Sequence, residues 1–186
     1  MKNIAVFIEQ RAGVISKSSF EVLSKARELA DKNNGQVVAL IFGDGITEES
    51  KKITSYGADE VLVADDKLLT NYNSEIYSRV LVGEIEKIKP TAIFFSATSM
   101  GKDLAPKISA HFKSCYLNNC TYVGFDGDFL KVQRPNFLGK VIVNLKSTVF
   151  EFQVATLQPG IFEASAVEGK SVEIKKIDFD FSALNP

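Results

Sequence analysis

The stretch from Pro90 to Phe112 reads PTAIFFSATSMGKDLAPKISAHF. Its first half, Ala92 to Ala97, is a nearly unbroken apolar run of strand length, the pattern of a parallel strand covered on both faces. Its second half repeats Leu104, Ala105, Ile108 and Phe112 at helical spacing, with Lys107 and Lys113 left for water. A strand that passes through a polar loop, Thr98 to Lys102, into a helix is one unit of an open α/β sheet, and such loops carry its ligands. Pro106 lacks an N–H, so the simplest helix takes Asp103 as N-cap and puts Pro106 at its third position. Ser99, Gly101 and Lys102 then have two readings, as an anion or nucleotide cleft at a helix start or as a structural cap with Lys102 exposed. An Asp cap would occupy the free N–H groups and repel phosphate, which favours the second.

Upstream, the same unit recurs. Ile4 to Ile8, Val37 to Phe42 and Val61 to Ala64 are short buried-strand runs. A capping box, Ser18 with Glu21, opens a helix with the stripe Val22, Leu23, Ala26, Leu29 and Ala30, closed by Gly35. Thr47 caps a second helix that Gly57 stops, and Asn73 caps a third, faced by Ile76, Val80, Leu81, Ile85 and Ile88. Residues 1–113 are therefore a doubly wound, mostly parallel, Rossmann-like core. Beyond Ser114 the rhythm changes. Tyr122 to Phe125, Leu130 to Gln133, Val141 to Leu145 and Val154 to Thr156 are strand-like, with a hairpin turn at Asp126-Gly127, so residues 114–165 add antiparallel strands as a sheet extension or a flap. Residues 166–186 read as an edge strand, Val172 to Phe181, that runs into a linker.

Composition narrows the function. Lys and Arg number 22 against 23 Asp and Glu, a formal charge of -1, so no basic surface for nucleic acid is implied. Cys115 and Cys120 have no histidine placed to complete a zinc set, and the one histidine, His111, falls on an outer helix face. Asp65-Asp66 at a strand end reads as a solvated turn rather than a metal site. Neither a dinucleotide fingerprint after the first strand nor a Walker loop nor a nucleophile elbow is present, and no catalytic residue is expected. No apolar run is long enough for membrane insertion, and Met1-Lys2-Asn3 leads straight into a strand, so cytoplasm or an organelle matrix is the expected compartment.

Four segments resemble one family. Ala97-Thr98-Ser99-Met100-Gly101-Lys102-Asp103-Leu104-Ala105-Pro106-Lys107 is similar to the most characteristic segment of electron-transfer flavoprotein alpha subunits. Tyr56 to Val63, Arg134 to Lys140 and Val154 to Glu163 agree with that family in the same order. Gln158 departs from it, standing where an arginine is usual, as does Asn119-Cys120-Thr121. The resemblance implies an adenine nucleotide alpha hydrolase-like fold and the N-terminal domain alone of an alpha subunit. It further implies an electron carrier rather than an enzyme, in which FAD sits mainly on a further domain and AMP in a beta subunit, with neither on this stretch. The implied partners are that beta subunit, flavin dehydrogenases of the acyl-CoA dehydrogenase type and a quinone reductase. Arg134, Pro135, Gly139 and Lys140 are then candidate contacts with the partner or flavin domain, against a plain reading as a hairpin turn with two solvated cations. The rival function is a stand-alone adenine-nucleotide binder of the universal-stress-protein type, which needs a glycine-rich phosphate loop where Ser99-Met100-Gly101-Lys102 offers one glycine.

Overall fold

Strands made only of apolar residues need cover on both faces, and the chain provides it. A computed structural model describes residues 1–149, 151–167 and 172–180. In chain order the elements begin with β1 (Ile4–Ile8), a small hairpin of β2 (Gln10–Arg11) and β3 (Val14–Ile15), α1 (Lys17–Lys32) and β4 (Val37–Gly43). Next come α2 (Thr47–Ser50), which runs on into a 3-10 helix, then β5 (Glu60–Asp65), α3 (Ser74–Ile88), β6 (Ala92–Ser96) and α4 (Ser99–His111). The chain continues through β7 (Cys115–Cys120), β8 (Tyr122–Asp126), β9 (Phe129–Asn136), β10 (Val141–Lys146), β11 (Gln153–Leu157) and β12 (Glu173–Lys176). Seven strands form one sheet in the order β12-β5-β4-β1-β6-β11-β7, and every neighbouring pair is parallel.

Alternate residues of each strand go to opposite faces. Ile4, Val6, Ile8, Ala39, Ile41 and Phe94 pack against α1, while Ala5, Phe7, Leu40, Phe42, Ile93 and Phe95 pack against α3 and α4. The second layer is centred on aromatic rings, with Phe7 5.5 Å from Phe42 and 5.6 Å from Phe95. From β1 the chain first winds outward through β4 and β5, then crosses back to β6 on the other side. The switch point, where an open sheet leaves a crevice, therefore lies between β1 and β6.

Apart from the β2–β3 hairpin, the remaining strands form a three-stranded antiparallel sheet, β10-β9-β8, fastened to the first by fully buried Gln153. Its Oε1 accepts the Leu130 N–H at 2.6 Å and its Nε2 donates to the Asp128 carbonyl at 3.0 Å. Lys2 adds a second tie, its ammonium 3.0 Å from Asp128 and 4.6 Å from the centre of the Phe125 ring.

Several local readings are corrected. Val154 to Thr156 belongs to β11, a wholly buried parallel strand between β6 and β7, and not to the antiparallel set. Cys115–Cys120 is a strand that the sequence hides, because a bulge at Asn118-Asn119 breaks its alternation and puts Asn119 at φ 52°. The expected loop from Glu9 to Lys17 contains the β2–β3 hairpin, turned at Ala12 and Gly13. α1 starts two residues earlier than the capping box predicts, with Ser16 as N-cap: Ser18 Oγ meets Ser16 Oγ, and Glu21 instead accepts the Gly160 N–H at 2.7 Å. Beyond α1 the left-handed residue is Asn34, and Gly35 is needed because a Cβ there would stand 1.8 Å from the Lys2 carbonyl oxygen. Ile46, not Thr47, is the N-cap of α2, whereas Asn73 caps α3 as read, accepting from Glu75 and Ile76 N–H. Of the expected tail strand, Glu173–Lys176 pairs with β5 at the sheet's edge, and Phe181 lies outside the described residues.

Candidate functional site

The loop after β6 is built by its hydroxyl. Thr98, extended at the end of the strand, is the N-cap of α4, with its Oγ1 accepting the Gly101 N–H at 3.1 Å. The same hydroxyl donates to the carboxylate of Glu9, which is 4% exposed at the end of β1. Asp103 is thus not the cap. It lies in the second turn of α4, accepts from the Tyr72 phenol at 2.5 Å and pairs with Lys107 at 3.6 Å. Pro106 is tolerated inside the helix because the carbonyl left without its donor belongs to Lys102, on the exposed side. The Tyr72 hydrogen bond holds Asp103 below the ordinary carboxylate range, and burial together with Asp103 pushes the Tyr72 phenol up. Neither group is poised to exchange a proton near neutral pH.

Beside this loop lies a cleft of about 330 Å³, walled by Gln10, Arg11, Thr70, Tyr72, Ser99 and Met100. Of the three residues singled out from sequence, Ser99 lines the cleft, Gly101 is buried against β6 and Lys102 points to solvent. The Gln10 amide is engaged at both ends, donating to the Phe42 carbonyl at 3.0 Å and accepting the Gly13 N–H at 3.0 Å. The helix start is therefore already served by Thr98, with the Glu9 carboxylate behind it.

Asp65 and Asp66 serve their own loops. Asp65 accepts from Gly45 N–H at 2.7 Å and from the Thr47 hydroxyl at 2.5 Å, and Asp66 accepts from Leu68 N–H at 2.9 Å. Burial works to raise the Asp65 pKa, but the hydrogen bonds from Thr47 and Gly45 outweigh it and the net shift is downward from 3.8. A depressed carboxylate contributes stability above its unfolded value and loses that contribution as pH falls through the folded one. Asp65→Asn is expected to flatten the fall of melting temperature with pH below about 4, as an acid titration followed by circular dichroism would read. Among the described residues no cluster of His, Cys, Asp and Glu could hold a metal ion. Cys120 is buried, which pushes its thiol up to about 12 against the pull of Arg134, and His111 is half exposed on the surface.

The second candidate is the hairpin β9–β10. Leu130 sits beside Gln153, the first residue of β11, and the Gln133 carbonyl accepts the N–H of Thr121, just past the end of β7. β9 thus climbs alongside the parallel strands, and its remaining residues carry the turn roughly 10 Å past their C-terminal edge. The turn is apolar and open: Phe137 is 75% and Leu138 102% exposed, with Val141 and Ile142 about half exposed on opposite faces. Phe137 and Leu138 also hold φ of 50° and 57°, a left-handed backbone that costs a bulky residue about 1–2 kcal/mol each. Gly139 continues the turn at φ 84°, and Lys140 and the half-buried Pro135 flank it. Arg134 turns inward instead, donating to Asn118 Oδ1 on β7, so it braces the arm. Sequence reasoning marked the arm by Arg134, Pro135, Gly139 and Lys140 but passed over Phe137 and Leu138, whose signal was an apolar pair inside a turn.

Residues 4–182 match the family model described as electron transfer flavoprotein domain. The electron transfer flavoprotein subunit alpha of Clostridium acetobutylicum is 35% identical over 95% of this chain and 53% of its own length. That of Bacillus subtilis is 30% identical over 98% of this chain and 56% of its own. The LctC subunit of the lactate dehydrogenase (NAD(+),ferredoxin) of Acetobacterium woodii is 34% identical over 88% of this chain and 39% of its own. The chain spans about half the length of the first two relatives. With its seven parallel strands and a match over nearly its whole length, the chain belongs to the electron transfer flavoprotein family and is of the alpha-subunit kind.

Proposed function

We propose that this chain is the N-terminal platform of an electron-transfer flavoprotein alpha subunit, which grips the beta subunit with the β9–β10 arm and supports the flavin of the longer protein. The observation that carries this reading is the arm's tip. A strained backbone that exposes Phe137 and Leu138 brings nothing to the isolated fold, and such features persist where a partner repays them. In the complex Pro135, Gly139 and Lys140 touch the partner beside that pair, and Arg134 holds the arm at its angle.

FAD does not fit the described residues. The Glu9 to Gly13 segment that would carry a dinucleotide fingerprint is a β-hairpin, and the cleft's helix start is already capped with a carboxylate behind it. FAD accordingly belongs to the remainder of the longer protein and AMP to the beta subunit. The assembled carrier takes electrons from flavin dehydrogenases of the acyl-CoA type and passes them to a quinone reductase, in the cytoplasm or an organelle matrix. Among the described residues no helix is long and apolar enough to cross a membrane.

Two substitutions test the arm. Leu138→Asp should weaken association with the matching beta subunit at least tenfold in isothermal titration while leaving the melting temperature unchanged, since the side chain is fully exposed. Leu138→Gly should weaken association as well, yet stabilise the chain alone by about 1 kcal/mol by relieving the left-handed strain. Undiminished affinity in both variants would refute the reading.

A further inference from the structure

The crevice beside the switch point is open, yet its walls are fixed. Tyr72 is held by its hydrogen bond to Asp103 and by the Tyr77 ring, 5.1 Å away at 75°. Tyr77 is buried and donates its own hydroxyl to the Leu69 carbonyl at 2.9 Å. Gln10 is engaged at both ends, and Met100 is buried in the same wall. Together they make a rigid aromatic and thioether surface that suits the flat body of a small molecule.

The polar tips around that surface are not engaged. Among the described residues, the side chains of Asn71 and Ser99 make no hydrogen bond, and neither does the Arg11 guanidinium. The Glu9 carboxylate stands 3.8 Å from Arg11 Nε, beyond hydrogen-bond reach, and accepts the Thr98 hydroxyl instead. Of the described residues that line the cleft, Arg11 alone is charged. Its side chain is 75% exposed on the β2–β3 hairpin, which the Ser16 N–H closes onto the Glu9 carbonyl at 2.9 Å. A solvated guanidinium thus borders an aromatic-walled cavity of about 330 Å³.

We propose that this cleft binds an organic monocarboxylate with a flat aromatic body, its carboxylate paired with Arg11 and its ring against Tyr72 and Met100. The planar guanidinium matches a carboxylate with two parallel hydrogen bonds. Asn71 and Ser99 donate to a further oxygen or to a ring substituent. One cation answers one negative charge. A phosphate monoester brings about two at neutral pH. The helix start after β6, where the second would sit, is taken by the Thr98 hydroxyl with the Glu9 carboxylate behind it. The chemistry of the cleft therefore favours a carboxylate over a nucleotide, and the site is independent of the β9–β10 arm.

Methyl NMR of the chain tests this with benzoate as the probe. The sequence holds two methionines, so the Met100 methyl reports on the cleft and Met1, 83% exposed, is the reference. Benzoate should shift the Met100 signal saturably, with a Kd of about 1 mM or tighter, and leave Met1 in place. Benzamide, of the same shape without the charge, should bind at least tenfold more weakly. Arg11→Gln should weaken benzoate by the same factor at an unchanged melting temperature, whereas Lys102→Gln, outside the cleft, should bind as the parent does. Equal affinity for benzoate and benzamide, undiminished binding by Arg11→Gln, or no saturable shift up to about 20 mM would overturn the proposal. Tighter binding of AMP than of benzoate at the same methyl would assign the cleft to nucleotides and overturn it as well.

Discussion

Gly101→Ala is expected to destabilise the chain by about 3 kcal/mol or more, a loss of roughly 6–12 °C in melting temperature for a domain of this size. A Cβ at residue 101 would lie 1.9 Å from the carbonyl oxygen of Ser96, a backbone atom of the strand that α4 has just left. No rotamer change relieves that contact, so the helix must lift, and with it Leu104, Ala105 and Ile108, all fully buried on the aromatic layer. Gly83→Ala is the control. Gly83 lies inside α3 with nothing within 4 Å of a built Cβ, and the same substitution there should stabilise by about 0.5–1 kcal/mol through helix propensity. Opposite signs for the two alanines, read by thermal and urea denaturation, would show that close approach sets the cost at residue 101.

Gln153→Leu should have an effect of similar size for a different reason. The volume is nearly conserved, but the Leu130 N–H loses its partner between two fully buried residues, and the Asp128 carbonyl loses its partner at the sheet's exposed turn. At about 1–3 kcal/mol for the buried N–H, with a smaller share from the carbonyl that water reaches, the loss comes to about 2–3 kcal/mol. Because these bonds join the two sheets, faster amide exchange should concentrate in β8, β9 and β10 and spare β1, β4 and β6. Uniform acceleration would mean that the sheets unfold as one unit.

The parallel core is legible in the sequence because burial on both faces leaves a plain signature: Ile4–Ile8, Val37–Gly43 and Ala92–Ser96 are apolar but for Ser96, and their ends shift by a residue at most from the reading. The start of α4 is not legible. Its cap is decided by a hydrogen bond between Thr98 and Glu9, 89 residues apart, and no local rule weighs that against Asp103 and Pro106. β7 is missed because a bulge spends two asparagines where alternation calls for one residue. At the arm, Gly139 announced a turn, but left-handed Phe137 and Leu138 run against intrinsic preference, and such conflicts collect where a chain serves something besides its own stability.

Sedimentation equilibrium of the chain mixed with its matching beta subunit addresses the central claim most directly. A one-to-one complex is expected with the wild-type chain and free subunits with Leu138→Asp, both chains remaining folded by circular dichroism. Free subunits with the wild-type chain at micromolar concentration, or an undiminished complex with Leu138→Asp, would contradict it.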